Sequence, residues 1–250
     1  SFTYDVRPHR QSRSKVRIGG ICHNLVMGEP VRVLGPELSQ FYSWPQGWWI
    51  RAMMLHTLDG AYFGPDGGSK SLSNPRDRDV LLEARRCADV VLVGAATIRA
   101  ERYRPMRTNA VVAIVSRSLD LPWEEPLFGE STHPPIVFTV RGSEPREALG
   151  VALEMQEQGK VQIVRLADPA IDSLTYLREQ GHQRIVCEGG PRLLESLFQF
   201  VDELDLTTAP FLVGTEPVGV QHIRGHTTNW ELDSWWNEDQ YTYAKYLRTS

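Results

Sequence analysis

The sequence predicts an α/β fold: a mostly parallel central sheet flanked by helices, with an antiparallel hairpin at the C-terminus. Two observations predict it. Short apolar runs such as "VVLVG" (90–94) and "PIVFTV" (135–140) alternate with helix-like stretches, the pattern of βαβ units whose strands are covered on both faces. Near the end, Tyr241, Tyr243 and Lys245 alternate with Thr242 and Ala244, a period of two that suits a hairpin closing one edge of the sheet.

The elements follow in order. Residues 1–45 form a polar, basic tail (Arg7, Arg10, Arg13, Lys15, Arg17) and a leader whose short helix or loop ends at Pro45 and Gly47. Residues 46–250 form one domain. "WWIRAMMLH" (48–56) reads as a strand, and "NPRDRDVLLEARRCA" (74–88) as a helix that Asn74 caps and Pro75 opens. After the strand "VVLVG", "TIRAERY" (97–103) is a short helix and "AVVAIVS" (110–116) a buried strand. The second half repeats the alternation. Strands at 135–140, 161–166, 184–190 and 203–214 are separated by helices at 144–159, 168–181 and 191–200, and "NWELDSWW" and "QYTYAKYLR" make the hairpin.

Composition narrows the function. The chain is 250 residues, 41% hydrophobic and 23% charged, which fits a soluble globular protein. A net charge of −4 gives no footing for nucleic acid or an anionic membrane. The absence of a long apolar stretch argues against a membrane span. Three scattered cysteines, with no Cys-x-x-Cys pair, argue against zinc and for a reducing cytoplasm. His222 and His226 are four apart but lack a third ligand nearby, so no metal site is expected.

Three stretches can carry chemistry. In "RIVCEGGPRLL" a strand ends on Glu188, Gly189 and Gly190 bare the backbone, and Pro191 starts a helix. Such a turn is suited to an anion, because the helix N-terminus presents unpaired N–H groups and glycine lets the anion approach. Glu188 beside an anion site needs a different partner. The second stretch runs from a strand into Gly94, Ala95, Ala96 and Thr97, small residues over which a cofactor can lie. No G-x-G-x-x-G occurs, which disfavours a conventional dehydrogenase. The third is the loop between the first long strand and its helix, which offers Thr57, Asp59, Ser69, Ser71 and Ser73 with turn glycines. Past a later strand, Ser116 and Arg117 present hydroxyl and cation where a 2′-phosphate would sit, favouring NADPH over NADH. Cys187 reads as a buried structural thiol, and the aromatic tail around Trp235 and Trp236 as core or a homodimer contact.

Read together and in this order, "TLDG" (57–60), "GGSKSLSNP" (67–75), "VGAATIRAE" (93–101) and "EGGPRLL" (188–194) resemble the pyrimidine reductase family of riboflavin biosynthesis, whose fold is like that of dihydrofolate reductase. The resemblance implies NADPH-dependent reduction of a ribosylaminopyrimidine phosphate to its ribitylamino product. It implies that Leu55, Ser71, Gly94 and Thr97 line NADPH, with its phosphates on the turn formed by Gly189, Gly190, Pro191, Arg192 and Leu193. It also implies that Ser69, Arg85, Glu101, Arg107 and Glu188 face a small-molecule substrate. Asp59 and Glu188 are the catalytic candidates, Asp59 for proton handling or sugar orientation, with a plain turn role as its alternative.

Some residues depart from the family pattern. Met53 stands where the family often has a Lys, Thr57 replaces its Ser, and Ser71 replaces an aromatic. The His-x-Glu and Pro-Cys-x-x-Cys signature of the zinc deaminase half of bifunctional relatives is absent from this sequence, so a stand-alone reductase is expected. The alternatives are a same-fold reductase of another substrate such as dihydrofolate, and a non-catalytic NADPH-binding paralogue.

Overall fold

A computed structural model describes residues 31–32, 36–65, 67–142, 146–214 and 228–249. The basic tail, His222 and His226 lie outside the described residues. Ten strands form one sheet in the order β1-β9-β10-β8-β2-β7-β3-β4-β5-β6. These are β1 (Val31–Arg32), β2 (Trp49–Thr57), β3 (Val90–Gly94), β4 (Val111–Val115), β5 (Ile136–Val140), β6 (Gln162–Leu166), β7 (Arg184–Cys187), β8 (Glu203–Ala209), β9 (Asn229–Glu238) and β10 (Tyr241–Thr249). Every pairing is parallel except those of β10 with β8 and with β9, so β10 alone runs against the rest.

The expected C-terminal hairpin is present: β9 and β10 pair antiparallel and add to the β8 end of the sheet, with only the two-residue β1 outside them. The alternating pattern identifies the strands but carries no information about their neighbours.

Helices cover both faces. They are α1 (Leu38–Phe41), α2 (Pro75–Arg86), α3 (Ala95–Glu101), α4 (Pro126–Gly129), α5 (Arg146–Glu157), α6 (Ile171–Glu179) and α7 (Pro191–Leu197), the last running into a 3₁₀ turn at Phe198–Phe200. Leu174 and Leu177 of α6 and Leu193, Leu194 and Leu197 of α7 pack on Ile50, Leu92, Ile185 and Phe138 on one face. Val80 and Ala84 of α2, and Ile98, Leu127, Phe128 and Ala152 of the other helices, cover the opposite face. Val90 to Val93 are fully buried, as a parallel strand covered on both faces must be. Asn74 caps α2 as its sequence suggests, its Oδ1 accepting from the Asp77 N–H at 2.7 Å.

Beneath the leader the sheet buries charge. Arg51 is fully buried, and its Nε lies 2.9 Å from Glu203 Oε1 and 3.2 Å from Asp205 Oδ2, while Lys245 Nζ is 3.1 Å from Glu203 Oε1. Arg51 also donates to the carbonyls of Tyr42 and Ser43, both at 2.9 Å, fastening the leader to the domain. Burial pushes the Asp205 carboxyl up, and the neighbouring Glu203 charge pushes it further. Glu203 goes the other way: burial would raise it, but Arg51 and Lys245 outweigh burial and hold it low. Trp236, Tyr241 and Tyr243 are buried within the chain and belong to the core, while Trp235 is half-buried.

Candidate active site

Parallel strands place their following turns at one end of the sheet, and two of these turns interlock. The Gly94 N–H donates to the Gly189 carbonyl at 2.8 Å, and the Gly190 N–H donates to Thr97 Oγ1 at 3.2 Å. The Glu188 N–H closes the lacing on the Leu92 carbonyl at 3.0 Å. This close approach explains the bare backbone. Gly189 has φ +81°, and a Cβ there would lie 3.4 Å from Met54 Sδ, while one on Gly190 would lie 3.2 Å from Thr97 Oγ1.

Beside these turns lies a cleft of about 520 Å³, bounded by β2, α2, the segment after α3, and Thr207 of β8. Of the residues singled out above, Leu55, Ser69, Arg85, Thr97, Glu101, Arg107, Glu188, Gly189, Gly190 and Pro191 line it. Asp59, Ser71, Gly94, Ser116, Arg117, Arg192 and Leu193 do not. Leu193 is packed in the core, Gly94 backs the Gly189 turn, and Arg117, Arg192 and Ser71 are exposed. Ser116 is buried, with no hydrogen-bond partner for its hydroxyl.

Asp59 serves its own loop. Thr57 Oγ1 donates to one carboxylate oxygen, and the N–H groups of Val213 and Gly214 donate to the other at 3.1 and 2.8 Å. The Thr57 hydroxyl first, and then the Gly214 N–H, hold the carboxyl below its ordinary range. A carboxylate stabilised in this way is a poor proton donor, and it lies away from the cleft. The turn role is the one its contacts describe.

Glu188 is one corner of a closed triangle with Arg85 and Tyr103. Arg85 donates from Nε to Oε1 and from Nη2 to Oε2, Tyr103 Oη also donates to Oε2, and Arg85 Nη2 reaches Tyr103 Oη at 3.3 Å. Arg85 is therefore neutralised within the site rather than offered to a phosphate. Glu101 ties down the Ser-rich turn, accepting from Ser69 N at 3.0 Å and Ser69 Oγ at 2.8 Å. Five further cations, Lys70, Arg78, Arg102, Arg104 and Arg107, line the cleft.

Two residues of the cleft escape the sequence reading. Tyr103 follows Arg102, which ends α3 in the left-handed region (φ 48°) and turns the chain back toward Glu188. Asp77 reads in sequence only as support for the start of α2, yet it lines the cleft and accepts from Ser73 Oγ at 2.7 Å. Burial raises its pKa, and the Ser73 and Thr207 hydroxyls only partly offset that. A cleft-lining carboxyl with a raised pKa is a signal that depends on the three-dimensional setting. Cys187 lies buried under the turn, and burial pushes its thiol up to about 12, which leaves it inert.

A parallel α/β sheet with one reversed strand, and a cleft beside its strand-end turns, defines a domain built to hold a small polar molecule at the carboxyl ends of its strands. Residues 48–242 match the model of the RibD C-terminal domain, and the chain belongs to that family. It is similar to the riboflavin biosynthesis protein RibD of Aquifex aeolicus (strain VF5), 28% identical over 174 residues that make up 66% of this chain and 47% of that protein. The chain spans less than half the length of the curated relatives it matches. In structure it resembles a pyrimidine reductase-like protein of Corynebacterium diphtheriae (TM-score 0.73, 21% identity, 85% of this chain and 99% of that one). It also resembles a Thermotoga maritima diaminohydroxyphosphoribosylaminopyrimidine deaminase/5-amino-6-(5-phosphoribosylamino)uracil reductase (TM-score 0.64, 20% identity, 81% and 57%). Among the described residues no helix is long and apolar enough to cross a membrane, and no cluster of metal-ligating side chains occurs.

Proposed function

We propose that this chain is an NADPH-dependent reductase of a ribosylaminopyrimidine phosphate, forming the ribitylamino product. The observation that carries the reading is the convergence of Glu188, Asp77 and the interlocked Gly94–Thr97 and Gly189–Pro191 turns on one cleft of a RibD-family chain. The turns suit a dinucleotide: Gly189, at φ +81°, and Gly190 carry no side chain, so the backbone is bare where a phosphate would approach. Thr97 would donate its hydroxyl to the pyrophosphate, with Gly190 and Pro191 leaving it room to approach, and the exposed Arg117 would face the 2′-phosphate while the buried Ser116 stays beneath it. When bound, NADPH supplies the hydride.

The chain's own residues do the rest. Glu188 accepts a hydrogen bond from the pyrimidine edge, and the cations lining the cleft attract the substrate phosphate. Asp77, kept protonated by burial to a higher pH than an ordinary carboxyl, hands a proton to the sugar as its ring opens. Met53, Met54, Leu55, Leu81 and Met106 keep water away from that exchange.

A second reading has its own support. Met53 removes the family's Lys and leaves the cleft floor apolar, and with Asp77 that suits a flat heterocycle such as dihydrofolate. The proton role is tested by Asp77→Asn. Turnover should fall by about a hundredfold or more while NADPH binding, measured by fluorescence, stays within about threefold. Turnover within about threefold of wild type would remove Asp77 from the chemistry.

A further inference from the structure

Counting the acceptor sites of Glu188 shows how little it has left to offer. An ionised carboxylate has about four lone-pair positions, two on each oxygen. Arg85 Nε takes one on Oε1, while Arg85 Nη2 and Tyr103 Oη take both on Oε2. One acceptor position therefore remains, on Oε1. The Glu188 side chain is 4% exposed and that of Arg85 17%. Tyr103 is fixed from three sides. Its ring packs against two core clusters, one around Val80 and Ala84 and one around Ile98 and Ile114, the Arg85 guanidinium lies 5.4 Å from the ring centre, and the left-handed Arg102 sets its direction.

We propose that Tyr103 is a positioning and specificity-determining residue. By saturating Oε2 it leaves Glu188 a single acceptor on Oε1, so that the cleft selects a ligand presenting one N–H or O–H donor at that point. This rests on the reading of Glu188 as a substrate contact. Burial and the Glu188 charge both raise the pKa of Tyr103 well above its ordinary value, so the phenol stays a donor across the working range. Tyr103 touches neither hydride nor proton transfer and acts through Glu188. The left-handed backbone of Arg102 is the kind of local strain a fold keeps where it aims a side chain.

The test is Tyr103→Phe, which keeps the ring and removes the hydroxyl. Crystal structures of wild type and variant without ligand should show Glu188 in one rotamer in the wild type and in two in the variant. A wild-type Glu188 turned away from Tyr103, or one rotamer in both proteins, would overturn the proposal whether or not any substrate is turned over. NADPH oxidation with the ribosylaminopyrimidine phosphate gives the second readout. KM should rise about tenfold as Glu188 loses its fixed orientation toward the ligand, while kcat stays within about twofold. A fall in kcat at unchanged KM, or no change in either, would refute the positioning role. Failure of the wild type itself to turn over the pyrimidine would refute the reductase reading alone, and the rotamers would still judge Tyr103. A variant that does not fold leaves the decision to the wild-type crystal structure.

Discussion

Replacing Glu188 by Gln changes a single atom type and strikes the centre of the site. The carboxylate is almost completely enclosed and accepts three hydrogen bonds from Arg85 and Tyr103. Gln offers one acceptor oxygen and turns an NH₂ group toward Arg85 Nη2 or Tyr103 Oη, which are already donors. It also leaves the Arg85 cation without its counter-charge. Removing one partner of a fully buried pair costs about 3–5 kcal/mol. Arg85 is 17% exposed at the cleft, so water recovers part of this and about 2–3 kcal/mol is the expected loss. Urea denaturation of wild type, Glu188→Gln, Arg85→Met and the double variant measures the coupling directly. A coupling energy near 2 kcal/mol supports the clamp. One below about 0.5 kcal/mol is what an exposed pair gives, and would refute the claim that the site is held together from within. The same variant should lose turnover while keeping its affinity for NADPH; equal loss of both would reduce Glu188 to a support for the turn.

Asp205 binds its proton more readily in the folded chain than in the unfolded one, so wild-type stability should fall as pH rises above the ordinary carboxylate range. Asp205→Asn should flatten that slope and stabilise the protein by about 1–2 kcal/mol at pH 8, because it removes a buried charge that sits beside the like charge of Glu203; the same slope in melts of both proteins from pH 5 to pH 9 would contradict this. Gly189→Ala should cost about 1–2 kcal/mol from its left-handed backbone, more if Met54 cannot yield, and weaken NADPH binding. A neutral effect in denaturant titration would show that the turn relaxes freely. Arg117→Ala should erase the preference for NADPH over NADH in competitive binding, and an undiminished preference removes Arg117 from the cofactor site.

The legibility of this molecule was uneven, for physical reasons. Runs such as Val90–Gly94 announce themselves because a strand covered on both faces has no polar side. The cap at Asn74 and the glycine turns are equally local, needing only neighbours in sequence. The β9–β10 hairpin was visible from its period of two, but the short β1 that pairs outside it was not, since two residues show no period. In β8 the pattern misleads outright: Glu203, Asp205 and Thr207 are the buried positions and Leu204 and Leu206 the less buried ones. Charges turn inward there because Arg51 and Lys245 await them under the leader. The short helix α4 is held by buried Leu127 and Phe128 and has too few residues to show a period. In the site, the glycines, Arg85 and Glu188 were recognisable as a family pattern. Tyr103 and Asp77 were not, because each owes its place to a left-handed residue or a buried neighbourhood created only on folding.

The central claim is that the cleft reduces a pyrimidine with NADPH. Following NADPH absorbance with the ribosylaminopyrimidine phosphate and, in parallel, with dihydrofolate tests it most directly. The account predicts oxidation coupled to the pyrimidine and none with dihydrofolate. Oxidation with dihydrofolate alone, or with neither, would contradict it.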